Sequence, residues 1–240
     1  MSNMKRLEKD SLGSIDVPKD ALWGAQTQRS ILNFAIGDEI IPLEIIYAIA
    51  QIKASAARVN NHLGLIDTEI AQFITEASLE IIEGKHNNQF PLKVWQTGSG
   101  TQTNMNVNEV ISNIASKRLN NPLGSHDPLH PNDHVNCGQS SNDIIPTCIH
   151  VSAVKEIKTK LLPSLLHLVK SISEKAKESK SFIKTGRTHL MDAMPIDFAQ
   201  EISGWAAQLK SCKNTIIAAN KRMLELPQGG TAIGLSLIHI

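Results

Sequence analysis

Four short polar segments of this 240-residue chain carry side chains able to do chemistry. Thr97-Gly98-Ser99-Gly100-Thr101-Gln102-Thr103-Asn104 is rich in hydroxyls and leads into an apolar-periodic stretch. Its glycines let backbone approach a ligand closely, and free amides at a helix start, with Ser and Thr hydroxyls beside them, favour an anion such as a carboxylate. The segment lacks the Gly-Lys-Ser/Thr ending of a P-loop and the third glycine of a dinucleotide fingerprint; an elaborate helix cap is the plain alternative. Gln139-Ser140-Ser141-Asn142-Asp143 opens a second apolar stretch. Any one of its Ser or Asn residues is an ordinary cap, but five consecutive polar side chains make a second anion-ready helix start. Gly186-Arg187-Thr188-His189 sets a histidine beside a cation and a hydroxyl. Histidine suits acid–base chemistry at neutral pH, and a surface loop position is the commoner case.

The fourth segment holds His126, His130 and His134 with Asp127 and Asp133. On a helix this spacing puts three imidazoles on one face, as a metal would require, but Pro128 and Pro131 take the helix away, so no metal is expected. Cys137 has nothing beside it to make it a nucleophile, and Cys148 and Cys212 lie on apolar stripes and read as core. Met105, Met191 and Met194 read as packing residues.

These segments need helices to position them. Residues 43–60 place Ile45, Ile49, Ile52, Ala56 and Val59 at helical spacing behind Pro42, and residues 67–83 repeat the pattern between Gly64 and Gly84. Asn104 to Leu119 reads as a third helix, and residues 121–134, with three prolines, as an irregular connection. From Ile144 one stripe runs through Cys148, Val151, Val154, Ile157, Leu161, Leu165 and Leu168 to Ile172, predicting a kinked helix of roughly 50 Å. After a polar turn over 174–185, a second long helix is predicted behind Pro195, from Phe198 to Met223. An antiparallel pair this long cannot cover its own apolar stripes, so further helices must. Hydrophobic residues at 41% and charged residues at 20% describe an ordinary globular chain, and the 4% of aromatics argue against a β-sandwich. A formal charge of +1 offers no field for nucleic acid or an anionic membrane. The polar start and the lack of a long apolar run imply neither signal peptide nor membrane span, and three scattered cysteines fit a reducing cytoplasm.

Taken together and in order, the segments resemble the class II fumarases of the fumarase/aspartase superfamily. The resemblance spans residues 8–234 and rests on Leu22-Trp-Gly-Ala-Gln-Thr-Gln-Arg29, Trp95 to Asn106, His130-Pro-Asn-Asp133, Gln139 to Asp143, Gly186-Arg-Thr-His-Leu190, Gln200-Glu-Ile-Ser-Gly-Trp205 and Gly229-Gly-Thr-Ala-Ile-Gly234. It implies a mainly α fold: an N-terminal lyase domain over 1–139, then over 140–234 the first two long helices of a central five-helix bundle, which forms a twenty-helix core in a homotetramer. It implies reversible hydration of fumarate to (S)-malate in the tricarboxylic acid cycle, without a cofactor. Ser99, Gly100, Thr101, Ser140, Ser141, Asn142 and Thr188 would bind the dicarboxylate, and His189 would be the proton donor or acceptor. Each active site would draw these segments from three subunits. A second anion site would use His130, Pro131, Asn132 and Asp133, although Asp127 stands where the family carries a basic residue. Gly98-Ser-Gly-Thr-Gln, Gln139-Ser-Ser-Asn and Gly186-Arg-Thr-His each favour fumarase over an aspartase-type ammonia-lyase.

The competing reading is an inactive fragment. The family's Gly-Ser-Ser-x-Met-Pro-x-Lys-x-Asn loop, which carries the catalytic serine and a substrate lysine, does not occur in these 240 residues. The last six, Leu235-Ser-Leu-Ile-His-Ile240, leave the family pattern and match the translation of a transposase-adapter sequence, so they are expected to be foreign.

Overall fold

A computed structural model describes residues 4–231 of the chain, which is mainly α. It forms two compact units, one reaching Ser152 and including the stretch from Leu226, the other spanning Ala153–Glu225. Residues 235–240 lie outside the described residues.

In the first unit, β1 (Lys5–Asp10) and β2 (Gly13–Pro18) pair antiparallel with Asp10 opposite Gly13. α1 (Ala25–Asn33), α2 (Leu43–His62), α3 (Thr68–Ile82), α4 (Thr101–Arg118) and α5 (Ser141–Glu156) follow. α2 and α3 form a helical hairpin, which turns through Gly64 in the left-handed region (φ 72°). The buried face of α2 is Ile46, Ile49, Ala50, Lys53, Ala57 and Asn60, one residue on from most of the stripe that the sequence suggests and sharing Ile49 with it. Val59 is 56% exposed. Small residues on the inner face let neighbouring helices approach, and Ile45 and Ile52 pack at the margin.

α4 is buried without a break from Thr103 to Ser116, in spite of its Asn, Ser and Glu residues. A helix enclosed on all sides has no solvent face, so its hydrophobic periodicity is weak. Its polar side chains bind the surrounding loops instead. Asn106 Nδ2 donates to Gln89 O at 3.1 Å, Asn113 Nδ2 to Leu22 O at 2.9 Å, and Ser116 Oγ to Asp127 O at 2.8 Å. Glu109 accepts from the amides of Gly24, Gln26 and Thr27 and from the Thr27 hydroxyl at 2.6–3.1 Å, capping the start of α1. Around its own Val107 and Ile111 close Ile46, Ile49, Ile74, Ile81, Leu129 and Ile144, each worth about 1.5–3 kcal/mol when fully buried.

The second unit holds the last turn of α5, a π-turn at Ile157–Leu161, α6 (Leu162–Glu178), β3 (Ile183–Thr188), β4 (Met191–Asp197) and α7 (Phe198–Arg222). Helical backbone runs unbroken from 141 to 178, as the stripe predicts. In a regular α-helix the ring of Pro163 would clash with the carbonyl four residues back, that of Thr159, and the wider π-turn at Ile157–Leu161 falls there. α6 runs on to Glu178, into the polar turn expected over 174–185, and the antiparallel hairpin of β3 and β4 follows where no strand was expected. Pro195 sits in β4 rather than at a helix start, where a two-stranded ribbon tolerates it. α7 begins at Phe198 behind a capping box, Asp197 Oδ1 accepting from the Gln200 amide at 2.6 Å. α6 packs on α7, yet their buried residues among those described are Val169, Ala176, Ala206 and Asn220. Leu161, Leu168 and Trp205 are 44%, 47% and 53% exposed. Cys148 is buried, as expected, whereas Cys212 is exposed, because α7 turns only a narrow strip of small residues to α6.

Candidate active site

Two helix starts of the first unit meet. Gly100, the N-cap of α4, is left-handed (φ 65°) and lets the chain enter the helix at Thr101, three residues before the predicted start. A side chain there would fall 2.9 Å from Ile145 of α5, so the missing Cβ also allows the two helices to approach. Ser99 Oγ and Thr101 Oγ1 stand 3.0 Å apart at the mouth of α4. The amides of Thr101 and Gln102 have no acceptor among the described residues, while Thr103 gives both its amide and its hydroxyl to Gln96 Oε1 at 3.0 Å. At α5, Ser140 Oγ accepts from the Asn142 amide at 3.3 Å, and Asp143 Oδ1 accepts from the Ser140 amide at 3.0 Å. Ser140 therefore does cap its helix, as the plain alternative has it, and its own hydroxyl proton remains to donate.

The two mouths are joined by a hydrogen bond from Asn104 Nδ2 of α4 to Ser141 Oγ of α5, at 3.0 Å. Ser99, Gly100, Thr101, Ser140, Ser141 and Asn142 are thus brought together, half-buried or exposed, at the positive ends of two helices. Beneath them lies a buried polar chain that sequence reasoning left without roles. Asn136 Oδ1 accepts from Asn104 Nδ2 at 3.2 Å and from Lys53 Nζ at 2.7 Å. Lys53 is fully buried, and burial pushes its ammonium down to about 7, opposed by Asp143 and Cys148. Asp143 Oδ2 accepts from the Gly229 amide at 2.9 Å and from Gln228 Nε2 at 3.3 Å. Burial raises the Cys148 thiol to about 12, in keeping with an inert core cysteine. The sequence signal for Lys53 is its phase: it falls on the buried face with Ile46, Ile49, Ala50 and Ala57, where a lysine has no packing reason to be.

Thr188 and His189 lie on the hairpin of the second unit. Thr188 pairs with Met191, which leaves His189 and Leu190 as a two-residue turn, both with positive φ (48° and 63°). That is the type I′ pattern, which joins strands tightly and lifts the histidine to an exposed tip. Gly186 sits below, where a Cβ would meet Met194 O at 2.7 Å, and Arg187 Nε reaches Asp192 Oδ1 at 3.1 Å across the strands.

His130, Pro131, Asn132 and Asp133 form a turn around Pro131–Val135, a single π-helical turn within the segment predicted to be irregular. His130 Nδ1 accepts from the Asp133 amide at 3.1 Å, and the His130 amide donates to His134 Nδ1 at 2.9 Å. His126 meets His130 edge-on, with ring centroids 4.8 Å apart. His130 and His134 cap backbone while His126 packs on His130, and among the described residues no group of three or more His, Cys, Asp or Glu could hold a metal ion. Asp127 is occupied with Asn121, its Oδ2 accepting at 3.2 Å.

Comparison with known proteins bears on the whole chain. Residues 13–239 match the model of the lyase family. The chain is 54% identical to the class II fumarate hydratase of Prochlorococcus marinus subsp. pastoris over 99% of its own length and 51% of that protein's. It is 54% identical to fumarate hydratase class II 1 of Pseudomonas aeruginosa, over 98% of the chain and 50% of the relative. The crystal structure of class II fumarase from Schistosoma mansoni superposes with a TM-score of 0.93 at 46% identity, covering 98% of this chain and 49% of that one. The chain spans about half the length of the relatives it matches. With two helix mouths presenting hydroxyls and amides, and this likeness from end to end, the chain belongs to the lyase family and is similar within it to the N-terminal portion of the class II fumarate hydratases.

Proposed function

We propose that this chain supplies the carboxylate-binding half of a class II fumarate hydratase, which hydrates fumarate reversibly to (S)-malate in the tricarboxylic acid cycle of the cytoplasm. The observation that carries the reading is the hydrogen bond of Asn104 to Ser141, which holds the hydroxyls of two helix mouths side by side. A carboxylate there would take donors from Ser99, Thr101, Ser140, Ser141 and Asn142 and from the first-turn amides of α4. Such donors act where charge grows as a proton leaves the carbon beside that carboxylate, and fixed donors stabilise this charge without reorganising. Thr188 would touch the substrate, and His189 at its hairpin tip would give or take the proton. No cofactor enters this scheme.

The active form is a homotetramer whose sites combine segments of three subunits, and this chain alone turns over no substrate. The turn at His130, Pro131, Asn132 and Asp133 would serve as a second anion site only weakly, since Asp127 adds a negative charge to it. The test mixes the chain with a separately expressed C-terminal half of the Pseudomonas aeruginosa relative and follows malate dehydration by the ultraviolet absorbance of fumarate. Turnover is expected from the mixture, from neither part alone, and not with His189→Asn. Ammonia release from aspartate without malate turnover would overturn the reading in favour of an ammonia-lyase.

A further inference from the structure

Lys53 is a fully buried cation without an ion-pair partner among the described residues. The charged or titratable groups that act on it are Asp143 and Cys148, both on α5. Asp143 attracts it only at a distance, since its carboxylate oxygens accept from the Ser140 amide and from Gly229 and Gln228, and no ion pair with Lys53 forms among the described residues. A buried ammonium costs far more than a surface one unless a counter-charge meets it. The positive ends of α4 and α5 close by make that cost larger. Nothing in the packing requires it, since a methionine would fill the same stem.

What the ammonium touches leads outward to the helix mouths. Lys53 Nζ donates to Asn136 Oδ1, which fixes that amide so that its oxygen also receives Asn104 Nδ2. The same Asn104 nitrogen then donates to Ser141 Oγ. Ser141 is thereby made an acceptor on its inner side, and its hydroxyl proton must point elsewhere, toward the mouth. Asn136 Nδ2 donates to Gln139 O at 3.2 Å, so this amide is held between that carbonyl and the lysine, while Asn104 Oδ1 has no partner among the described residues and the Asn104 amide takes its orientation from Asn136 and Ser141.

Resting on the carboxylate-site reading above, we infer that Lys53 is a positioning residue whose counter-charge is the bound carboxylate itself, and that through Asn136 and Asn104 it sets Ser141 to donate to that ligand. The site is then an anion-operated latch: the ligand stabilises the charged lysine, and the charged lysine orders the donors. Near-neutral titration follows from the burial described above, and linkage fixes its direction. As pH rises through about 7 the lysine loses its proton, the counter-charge disappears and affinity for the anion falls; conversely, the bound anion raises the lysine's titration midpoint.

The test uses the 240-residue chain itself with succinate, an unreactive four-carbon dicarboxylate. Side-chain amide NMR signals of Asn104 and Asn136 and the backbone signal of Ser141 are followed against pH, and succinate affinity is measured one unit or more either side of the midpoint. The three signals are expected to shift together with one midpoint near neutrality, and succinate to bind about tenfold more weakly on the alkaline side, the change that one unit of coupled midpoint shift produces. In Lys53→Met both the common midpoint and the pH-dependence of binding should vanish; Lys53→Gln serves if the methionine variant does not fold. A shared midpoint with no succinate binding would sink the carboxylate-site reading while leaving the lysine's control of Ser141 intact. Signals of Asn104 and Ser141 that show no common step in the wild-type chain would overturn the inference outright, whatever the variants do.

Discussion

Gly100 shows how one residue can serve conformation and proximity at once. Its left-handed backbone turns the chain into α4, and its missing side chain leaves room for Ile145 of α5. Gly100→Ala should cost about 1–3 kcal/mol, since an alanine is strained at this φ and its methyl collides with a branched side chain. Urea unfolding would measure that loss, and the Asn104 to Ser141 bond should loosen with it, visible as line broadening of both signals. An unchanged midpoint of unfolding would show that Ile145 moves aside freely and that the two mouths are not held by contact. The hydroxyls of both mouths and the glycines of the first are legible in the sequence because their types are unusual for a scaffold. Lys53 betrays itself only by its phase among the buried positions of α2, and its link to Asn104 and Asn136 leaves no trace, since each of these is an ordinary residue until its neighbours are known.

At the scale of elements, α4 is the organiser, and it is organised by polarity rather than by grease. Its position was readable, but its enclosure was not, since amphipathicity marks helices with one wet face and this one has none. Glu109 illustrates the consequence. Four donors of Gly24, Gln26 and Thr27 converge on its carboxylate, so Glu109→Ala should leave several buried amides unpaired and destabilise the first unit by about 2–5 kcal/mol. Hydrogen exchange should localise the damage to the start of α1, with residues 24–27 losing protection before α2 or α3; uniform loss would mean that Glu109 supports the core as a whole. The hairpin of β3 and β4 was hidden for a different reason. Its strands carry Gly186 and Pro195, both poor strand residues, and its turn is His-Leu, so every local signal argued for a loop.

For the whole molecule, the contrast between the two units governs behaviour. The first closes a continuous core of some twenty buried apolar side chains, while the second buries few and leaves Leu161, Leu168 and Trp205 about half exposed. Exposed apolar area of this extent drives association. In size-exclusion chromatography with light scattering the chain should elute as an oligomer or aggregate at micromolar concentration, and Leu168→Lys with Trp205→Lys should shift it toward monomer without changing the helical circular dichroism. A clean monomer in the unmodified chain would refute this expectation. Composition gave no warning of the imbalance, since apolar residues are spread evenly and only their partners differ between the units.

The turn at His189 and Leu190 bears on how such a chain changes over generations. Two left-handed residues in a two-residue turn are what Asn-Gly supplies at least cost, and leucine there is strained by roughly 1–2 kcal/mol. Selection for folding alone would replace the pair in a single step or two, each step favourable. On the proposed reading of His189, stability and use are opposed at this tip, and engineering that ranks substitutions by stability alone will recommend replacing the pair.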